Sequence, residues 1–170
     1  MPKPSAALYP AYFKNYIDQV PDEDLLTGFS NQLPIIQSFL HAITEEKSTY
    51  AYDTGKWTLK ELLQHVIVTE RIFNYRALCI ARKETASLPG FDENVYAANS
   101  NSNNRPWQTL VDEFLAVRKS TEFLYQSFTE EALAASGLSN NNQVTVNSLG
   151  FITLGHFYHH KKIMEERYQQ

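Results

Sequence analysis

The chain has 170 residues with a formal net charge of −4, and 43% of them are hydrophobic and 13% aromatic. This length predicts one domain over residues 1–170 that is large enough to bury a core. The acidic balance excludes the basic footprint of a nucleic-acid-binding protein, and no apolar run is long enough to span a bilayer. The single cysteine, Cys79, excludes an internal disulfide framework and favours a reducing compartment. We therefore expect a cytoplasmic protein without nucleic-acid or membrane partners.

Residues 1–24 predict an irregular, proline-containing arm that could end in a short helical piece. The acidic run Asp22-Glu23-Asp24 follows, and negative charge is favourable at a helix N-terminus. Apolar residues then recur with a helical period and predict a first helix over 25–43: Leu25, Leu26, Phe29, Leu33, Ile36 and Leu40. Pro34 lies inside this pattern, so we expect it to kink the helix or to shift its start.

The second predicted helix, over 58–82, begins with the clearest local signal in the chain. Thr58 and Glu61 have the spacing of a capping box, and Trp57 and Leu62 have the spacing of a hydrophobic staple. A stripe at 3.6-residue spacing continues from there: Leu62, His65, Thr69, Ile72, Arg76 and Cys79. His65 therefore lies near the centre of the face that this helix turns inward.

Two further helices are predicted after a long connection at residues 84–106, which its length marks as functional or locally disordered. Pro106, at the N1 position, opens a helix over 107–127. The last helix covers 147–168, with Asn147 or Thr145 as its cap, and the segment at 144–146 is too short for an independent sheet. Four long helices predict an all-α four-helix bundle with its core at about 25–168, in which the long connection could serve as a crossover.

Three histidines are predicted to lie on inward helix faces. His156 and His160 are four residues apart, so their rings project from one face of the last helix, about 6 Å apart at Cβ. Two neutral imidazoles at that separation can share a transition-metal ion. With His65 from a packed neighbour they would form a His₃ set with an open position, as catalytic metals use. His159 lies at the edge of the stripe, so His160 is the better partner for His156.

The histidine pattern leaves one alternative to a metal site open and excludes two familiar metal motifs. The open alternative is a polar hydrogen-bond cluster of the imidazoles with Thr69, Tyr125 or Arg118. A zincin is rejected because the segment from His156 to His160 has the right spacing but lacks the glutamate base. A di-iron bundle is rejected because it needs Glu-x-x-His pairs, and the nearest candidate, Glu61 with His65, is spaced by four.

These segments resemble the DinB-like superfamily. Its second helix is similar to Trp57-Thr58-x-x-Glu61-Leu62-x-x-His65, continued by Thr69-Glu70-Arg71 and Arg76-Ala77-Leu78. Its linker is similar to Leu88-Pro89-Gly90-Phe91-Asp92-Glu93, and its closing helix to Gly155-His156-x-x-His159-His160. The resemblance covers roughly residues 25–168 and preserves the order of all its parts.

The resemblance implies a four-helix bundle that binds one divalent metal, zinc or nickel above all, through three histidines. Carried over by position, these ligands are His65, His156 and His160. The resemblance also implies a homodimer and assigns no further catalytic residue. The family's activities cluster in transfer of low-molecular-weight thiols, and some members are described as metal-dependent hydrolases.

We therefore expect a metal-dependent enzyme that transfers a low-molecular-weight thiol to a small electrophilic molecule. In this reaction, ligation to the metal would lower the pKa of the thiol and generate the nucleophile at neutral pH. The first alternative is a metal-dependent hydrolase, in which bound water takes the same part. The second is a non-enzymatic bundle that binds metal or acts in a stress response.

Several residues outside the histidine set could take either of two roles. Arg76 and Arg118 lie near inner stripes, where their stems could pack while their heads reach solvent or carboxylates, or where they could form a wall that binds a cosubstrate carboxylate. Glu70 is expected to be solvated or paired with an arginine, and Cys79 to be a small buried hydrophobe. The aromatic stripe of the third helix, formed by Trp107, Phe114 and Tyr125, is expected in the core. Three aromatic residues of the N-terminal arm could instead dock on a partner chain: Tyr9, Tyr12 and Phe13.

Overall fold

Eight α-helices and one β-hairpin organise residues 1–168, which are the residues described by the computed structural model. The long helices are α2 (Leu25–His41), α4 (Leu59–Ala81), α6 (Trp107–Gln126) and α8 (Val146–Arg167). The short ones are α1 (Lys14–Ile17), α3 (Glu45–Ser48), α5 (Glu93–Ala98) and α7 (Glu130–Ala134). Strands β1 (Ser136–Ser139) and β2 (Asn142–Thr145) pair antiparallel, and three-residue 3₁₀ turns occupy Ala6–Leu8, Ala11–Phe13 and Ser102–Asn104.

The four long helices confirm the predicted all-α bundle, and their starts follow from local capping. The Thr58 hydroxyl accepts from the Glu61 backbone N–H at 3.2 Å, and the Glu61 carboxylate accepts from the Thr58 N–H at 2.8 Å, which completes the capping box. Thr145 caps α8 by accepting from the Ser148 N–H at 3.1 Å. Pro106 occupies the N-cap of α6 instead of the predicted N1 position.

Helix α2 begins at Leu25 although it contains Pro34. The Asp24 side chain caps it by accepting from the Thr27 N–H at 3.0 Å. Because this cap fixes the first turn, the proline does not shift the start of the helix. Pro34 is tolerated inside α2 at the loss of one backbone donor.

The four long helices bury two apolar clusters, one toward each end of the bundle. One cluster is centred on Phe29, Tyr125 and Phe151, and the other on Phe114, Trp107 and Phe157. The three aromatic residues of the α6 stripe are therefore core residues, as predicted. Both α4 and α2 pack against α6 and α8, so α4 and α8 lie side by side and can bring their histidines together.

The segment at 144–146 contributes to a sheet that was not expected from its length. Residues 142–145 pair with residues 136–139, and the turn between them is formed by Asn140 and Asn141 at φ values of 50° and 60°. Positive φ at both turn positions is the geometry that favours a two-residue hairpin, and Asn accepts it more readily than most residues. The hairpin needs a partner to persist, and residue Leu88 provides one, because its N–H donates to the Leu138 carbonyl at 3.0 Å.

The N-terminal arm folds back onto its own bundle, and two of the aromatic residues that were predicted to dock on a partner pack against this chain. Tyr9 is buried in the core, and the Phe13 ring lies 6.1 Å from Phe73. Tyr12 remains exposed. The arm approaches α8 so closely that a Cβ added to Gly155 would lie 2.1 Å from the Tyr16 carbonyl oxygen. A side chain at position 155 would therefore displace the arm.

The predicted long connection, 84–106, contains α5 and one of the 3₁₀ turns. Asp92 caps α5 by accepting from the Asn94 and Val95 N–H groups, at 2.9 and 3.0 Å. Part of the connection is therefore a capped helix with a defined conformation. Within residues 1–168, no helix combines the length and the apolar character that crossing a membrane requires.

Candidate metal centre

Three imidazole rings meet between α4 and α8. His65 projects from the second turn of α4, and His156 and His160 project from successive turns of α8. The Nε2 atom of His156 lies 3.1 Å from that of His65 and 3.0 Å from that of His160. One ring nitrogen from each of the three lies within 4.8 Å of the others. The structure therefore brings together all three histidines that the sequence singled out.

Hydrogen bonding between the rings cannot satisfy all three nitrogens. Each Nε2 carries either one proton or one lone pair, and that of His156 faces two neighbours at once. A cation between the rings would instead receive a lone pair from each. Nitrogens held 2.0–2.1 Å from a tetrahedral zinc ion lie about 3.3 Å apart, close to the separations found here. The donor set therefore fits a divalent metal.

Burial keeps these rings neutral, which is the form that binds metal. It lowers the pKa of His65 to about 4, and the nearby Glu93 carboxylate opposes this effect in part. Burial also holds the pKa of His156 and of His160 well below the usual range, and the neighbouring imidazoles add to the effect. All three rings are uncharged near neutral pH and present lone pairs without competition from protons.

Aromatic side chains hold the rings in place. Trp57 lies 5.0 Å from His65, and Tyr16 lies 5.6 Å from His156, between ring centroids. Phe73 lies 6.1 Å from His156. The Nδ1 atom of His160 is buried without a hydrogen-bond acceptor among residues 1–168. Orientation of the rings therefore depends on packing more than on outer hydrogen bonds, which many metal-binding histidines have.

His159 stays outside the group, as the sequence predicts. Its ring packs against Tyr16 in a tilted arrangement, 4.9 Å between centroids, and is partly exposed. The alternative polar cluster does not form: within the described chain, the hydroxyls of Thr69 and Tyr125 make no hydrogen bond, and Arg118 bonds to other residues. The imidazoles face one another instead of these side chains.

The rings form one wall of a cavity of about 330 Å³. Its other walls come from the N-terminal arm, from α4, from the 84–106 connection and from the hairpin turn: Tyr12, Phe13, Tyr16, Trp57, Thr69, Phe73, Arg76, Gly90, Phe91, Glu93 and Asn140. A second cavity of about 290 Å³ is also lined by Trp57 and His160. Its walls include Tyr52, Lys56, Asn94 and Tyr168. The candidate centre is accessible from both cavities.

The two inner arginines have different surroundings. Arg118 is fully buried, and its Nη2 donates to Glu70 at 2.8 Å, which confirms the expected pairing of Glu70 with an arginine. Of the two roles considered for Arg118, pairing with a carboxylate is the one observed, and Arg118 lines neither cavity described above. Arg76 does line the larger cavity. Cys79 is partly buried and packs at the edge of the core, less enclosed than predicted.

Sequence reasoning missed several cavity residues that lie far from the histidines along the chain. Tyr16 and Asn140 reach the site only because the arm and the hairpin fold over it. Two signals were present in the sequence: Gly155 beside His156 indicates a close backbone approach, and the length of the connection containing Glu93 indicates function.

Comparison with known proteins adds three findings. The family model of the DinB superfamily matches residues 29–164. A protein of Oceanobacillus iheyensis, whose name assigns it provisionally to the metal-dependent hydrolases, is 21% identical over 150 residues, or 84% of this chain and 86% of the relative. YfiT from Bacillus subtilis, described as a probable metal-dependent hydrolase with an unusual four-helix bundle topology, matches with a TM-score of 0.72 and 14% identity, over 96% of this chain and 90% of that chain. The likeness to YfiT supports the fold.

Proposed function

The chain belongs to the DinB superfamily, and we propose that it is a metal-dependent enzyme whose ion is bound by His65, His156 and His160. One observation carries this proposal: three neutral Nε2 atoms converge at the wall of a cavity that a small molecule can enter. Zinc and nickel suit imidazole nitrogens. Three protein ligands would leave one coordination position for a water or a substrate, as catalytic metal sites require.

A bound ion of this kind lowers the pKa of a coordinated water or thiol and so supplies a nucleophile at neutral pH. The chain's own residues prepare the surroundings. The aromatic rings of Tyr16, Trp57 and Phe73 pack against the imidazoles and give the cavity an apolar lining beside them. Glu93, at the exposed rim, brings the only carboxylate among the described residues of the cavity wall. It can accept a proton from a group that enters there.

Hydrolysis of a small molecule is the reaction that the relatives favour. The names of the Oceanobacillus iheyensis protein and of Bacillus subtilis YfiT both refer to metal-dependent hydrolases. The cavity volume of about 330 Å³ suits a small substrate and not a polymer. Hydrolysis needs only one organic reactant, which this cavity can hold.

Thiol transfer is the second candidate, and the second cavity favours it. Transfer needs two organic reactants at one nucleophile, and His160 borders both cavities. Trp57 also lines both cavities, so a low-molecular-weight thiol and its electrophile could each occupy one of them. A non-enzymatic metal-binding or stress-response role does not require two cavities of this size at the donor set.

Two further expectations belong to this proposal. We expect the enzyme to act in the cytoplasm, and we expect a homodimer, as implied by the family resemblance. Sedimentation of the purified chain at micromolar concentration measures the second directly. A monomer would contradict the dimer and would leave the metal site unaffected.

The metal is tested by elemental analysis of protein purified without a histidine tag. We expect about one divalent ion per chain. His160→Ala should abolish binding, because two imidazoles hold a divalent ion far more weakly than three. His159→Ala is the matched control and should retain nearly all of the metal. Retention by His160→Ala, with both variants folded by circular dichroism, would contradict the assignment.

The reaction is tested with an activated ester as the probe, with and without a low-molecular-weight thiol. Attack by water releases the free acid, whereas attack by a thiol releases a thioester and the same alcohol. Product analysis thus distinguishes the two candidates. Turnover that persists at the same rate in His160→Ala would place the chemistry elsewhere in the molecule.

A further inference from the structure

We propose that the substrate carries a carboxylate, and that Arg76 binds it while the remainder of the molecule reaches the three histidines. This inference rests on the proposed function and adds the substrate class and a specificity-determining residue. It starts from an imbalance of charge: Arg76 is a buried cation without an anion. Only 5% of its surface is exposed, and it forms no ion pair with any residue among 1–168.

The guanidinium of Arg76 has donors to spare. Its Nη2 donates to the Pro89 carbonyl at 2.6 Å, which holds the side chain against the connection. Its Nε and Nη1 make no hydrogen bond to any described residue, and neither is sealed from solvent. Nη2 keeps a second N–H, and together with an N–H of Nε or of Nη1 it forms one edge of the planar guanidinium, which matches the two oxygens of a carboxylate. The free donors can reach a ligand in the cavity that Arg76 lines.

Helix geometry directs Arg76 toward the histidines. Eleven residues separate it from His65 along α4, a rise of about 16 Å, but helical side chains lean toward the N-terminus. The Arg76 Cζ accordingly lies 5.9 Å from the centroid of Phe73, which is one turn nearer to His65. The same Phe73 ring lies 6.1 Å from the His156 ring, between centroids. The cation and the candidate metal ligands therefore both neighbour one aromatic ring, and a molecule of a few carbon atoms could reach both.

The cavity walls match such a molecule. The cation is at one end, the imidazoles are at the other, and Phe73 and Phe91 provide an apolar surface between them. Burial lowers the pKa of Arg76, with a smaller opposing effect from the Tyr12 phenol across the cavity, so an anion placed beside it would relieve an unfavourable burial. Arg76 also borders a smaller cavity of about 130 Å³ on the far side of Pro89. No histidine lines that cavity, so a ligand there could not contact both Arg76 and the three histidines.

The experiment is calorimetric titration of the metal-bearing protein with linear dicarboxylates from malonate to adipate. One carboxylate can occupy the open metal position and the other Arg76, so affinity should peak at one chain length. Arg76→Gln should weaken binding of the best diacid by about tenfold to a hundredfold, as expected for charge-assisted hydrogen bonds. Arg76→Lys, which keeps the charge but lacks the fork, should fall between the two. Arg82→Gln removes an exposed cation from the end of the same helix and should bind like the unaltered protein.

A comparison of a diacid with its half-amide shows whether Arg76 binds the ligand or only supports the structure. The half-amide of the best diacid should bind less tightly than the diacid to the unaltered protein, and this difference should disappear in Arg76→Gln. Metal content should stay the same in both. Equal binding of the diacid by Arg76→Gln and the unaltered protein would overturn the inference and leave the metal site standing. If the metal assignment fails instead, binding loses its chain-length optimum but still depends on Arg76.

Discussion

Two buried clusters of polar side chains lie along the bundle, and they differ in how completely the protein satisfies them. In the first, Arg118 donates to Gln32 and Glu70, and the Thr121 hydroxyl donates to Glu70 at 2.6 Å. Gln32 in turn donates to the backbone carbonyl of Leu154 at 2.9 Å. This cluster connects α2, α4, α6 and α8, and its charges are neutralised within the described chain.

The second cluster contains the three histidines and Arg76, and within residues 1–168 it lacks the corresponding partners. Three ring nitrogens face one another, and one cation has no anion. Both clusters lie on α4, and both are buried, so burial alone does not distinguish structure from function. The difference is that the first cluster borders no large cavity, whereas the second borders about 330 Å³ of space. Missing partners beside a cavity indicate ligands that come from outside.

The largest loss of stability is expected when the first cluster loses the Arg118 guanidinium. Arg118→Met keeps much of the volume but leaves the Glu70 carboxylate buried and unpaired, which should reduce the free energy of unfolding by about 3–5 kcal/mol. Urea unfolding measures this loss. Arg76→Met is the matched control and should lose much less, because its removal leaves no carboxylate unpaired. Equal losses in the two variants would refute the contrast between the clusters.

The next largest loss of stability is expected when acid protonates the histidines of the second cluster. Burial lowers the pKa of His65 from 6.5 to about 4, so below pH 6.5 the unfolded chain binds a proton that the folded chain resists. The metal-free protein should therefore lose stability as the pH falls from 6.5 toward 4, by about 3 kcal/mol from His65 alone. Urea unfolding across this range, in the presence of a chelator, measures the slope. His65→Leu should have a shallower slope, and an unchanged slope would contradict this account.

A smaller loss of stability is expected when the contact between the N-terminal arm and α8 is disturbed. In Gly155→Ala the new methyl group would overlap the Tyr16 carbonyl, so the arm must shift, at a cost of about 1–3 kcal/mol. Gly28→Ala is the control, because its methyl group would crowd only the end of the Leu154 side chain, which can move, and would lie at ordinary contact distance from Asp22. Thermal unfolding and the rate of proteolysis within residues 1–24 measure the change. A Gly155→Ala protein with an undisturbed arm would show that this contact is not tight.

Local signals in the sequence are sufficient to predict the long helices and the convergence of the histidines. The capping box at Thr58 and Glu61 places the start of α4, and the four-residue spacing of His156 and His160 places both rings on one face of α8. His65 could be added because it lies on an inner stripe at a known distance from the cap. These predictions depend on helix periodicity and on local capping signals, both of which a single sequence displays.

Features that depend on distant partners could not be predicted in the same way. The choice between a solvated Glu70 and a paired one depends on Arg118, which is 48 residues away. Similarly, Tyr16 and Asn140 reach the cavity through the docking of the arm and of the hairpin; Gly155 indicates that some backbone approaches α8 closely, but it does not identify which segment. The twin roles considered for the arginines could be separated only by seeing which one borders a cavity.

The contact between the arm and α8 also affects the order of events during synthesis on the ribosome. The Ser148 hydroxyl donates to the Leu8 carbonyl at 3.0 Å, and the Asn147 side chain donates to the Pro2 carbonyl at 2.8 Å. The arm lies at the start of the chain and is translated well before α8, the helix against which it packs. Such long sequence separations slow folding. His156 and His160 belong to the same late helix, so a nascent chain exposes His65 without its two companions until α8 has left the exit tunnel.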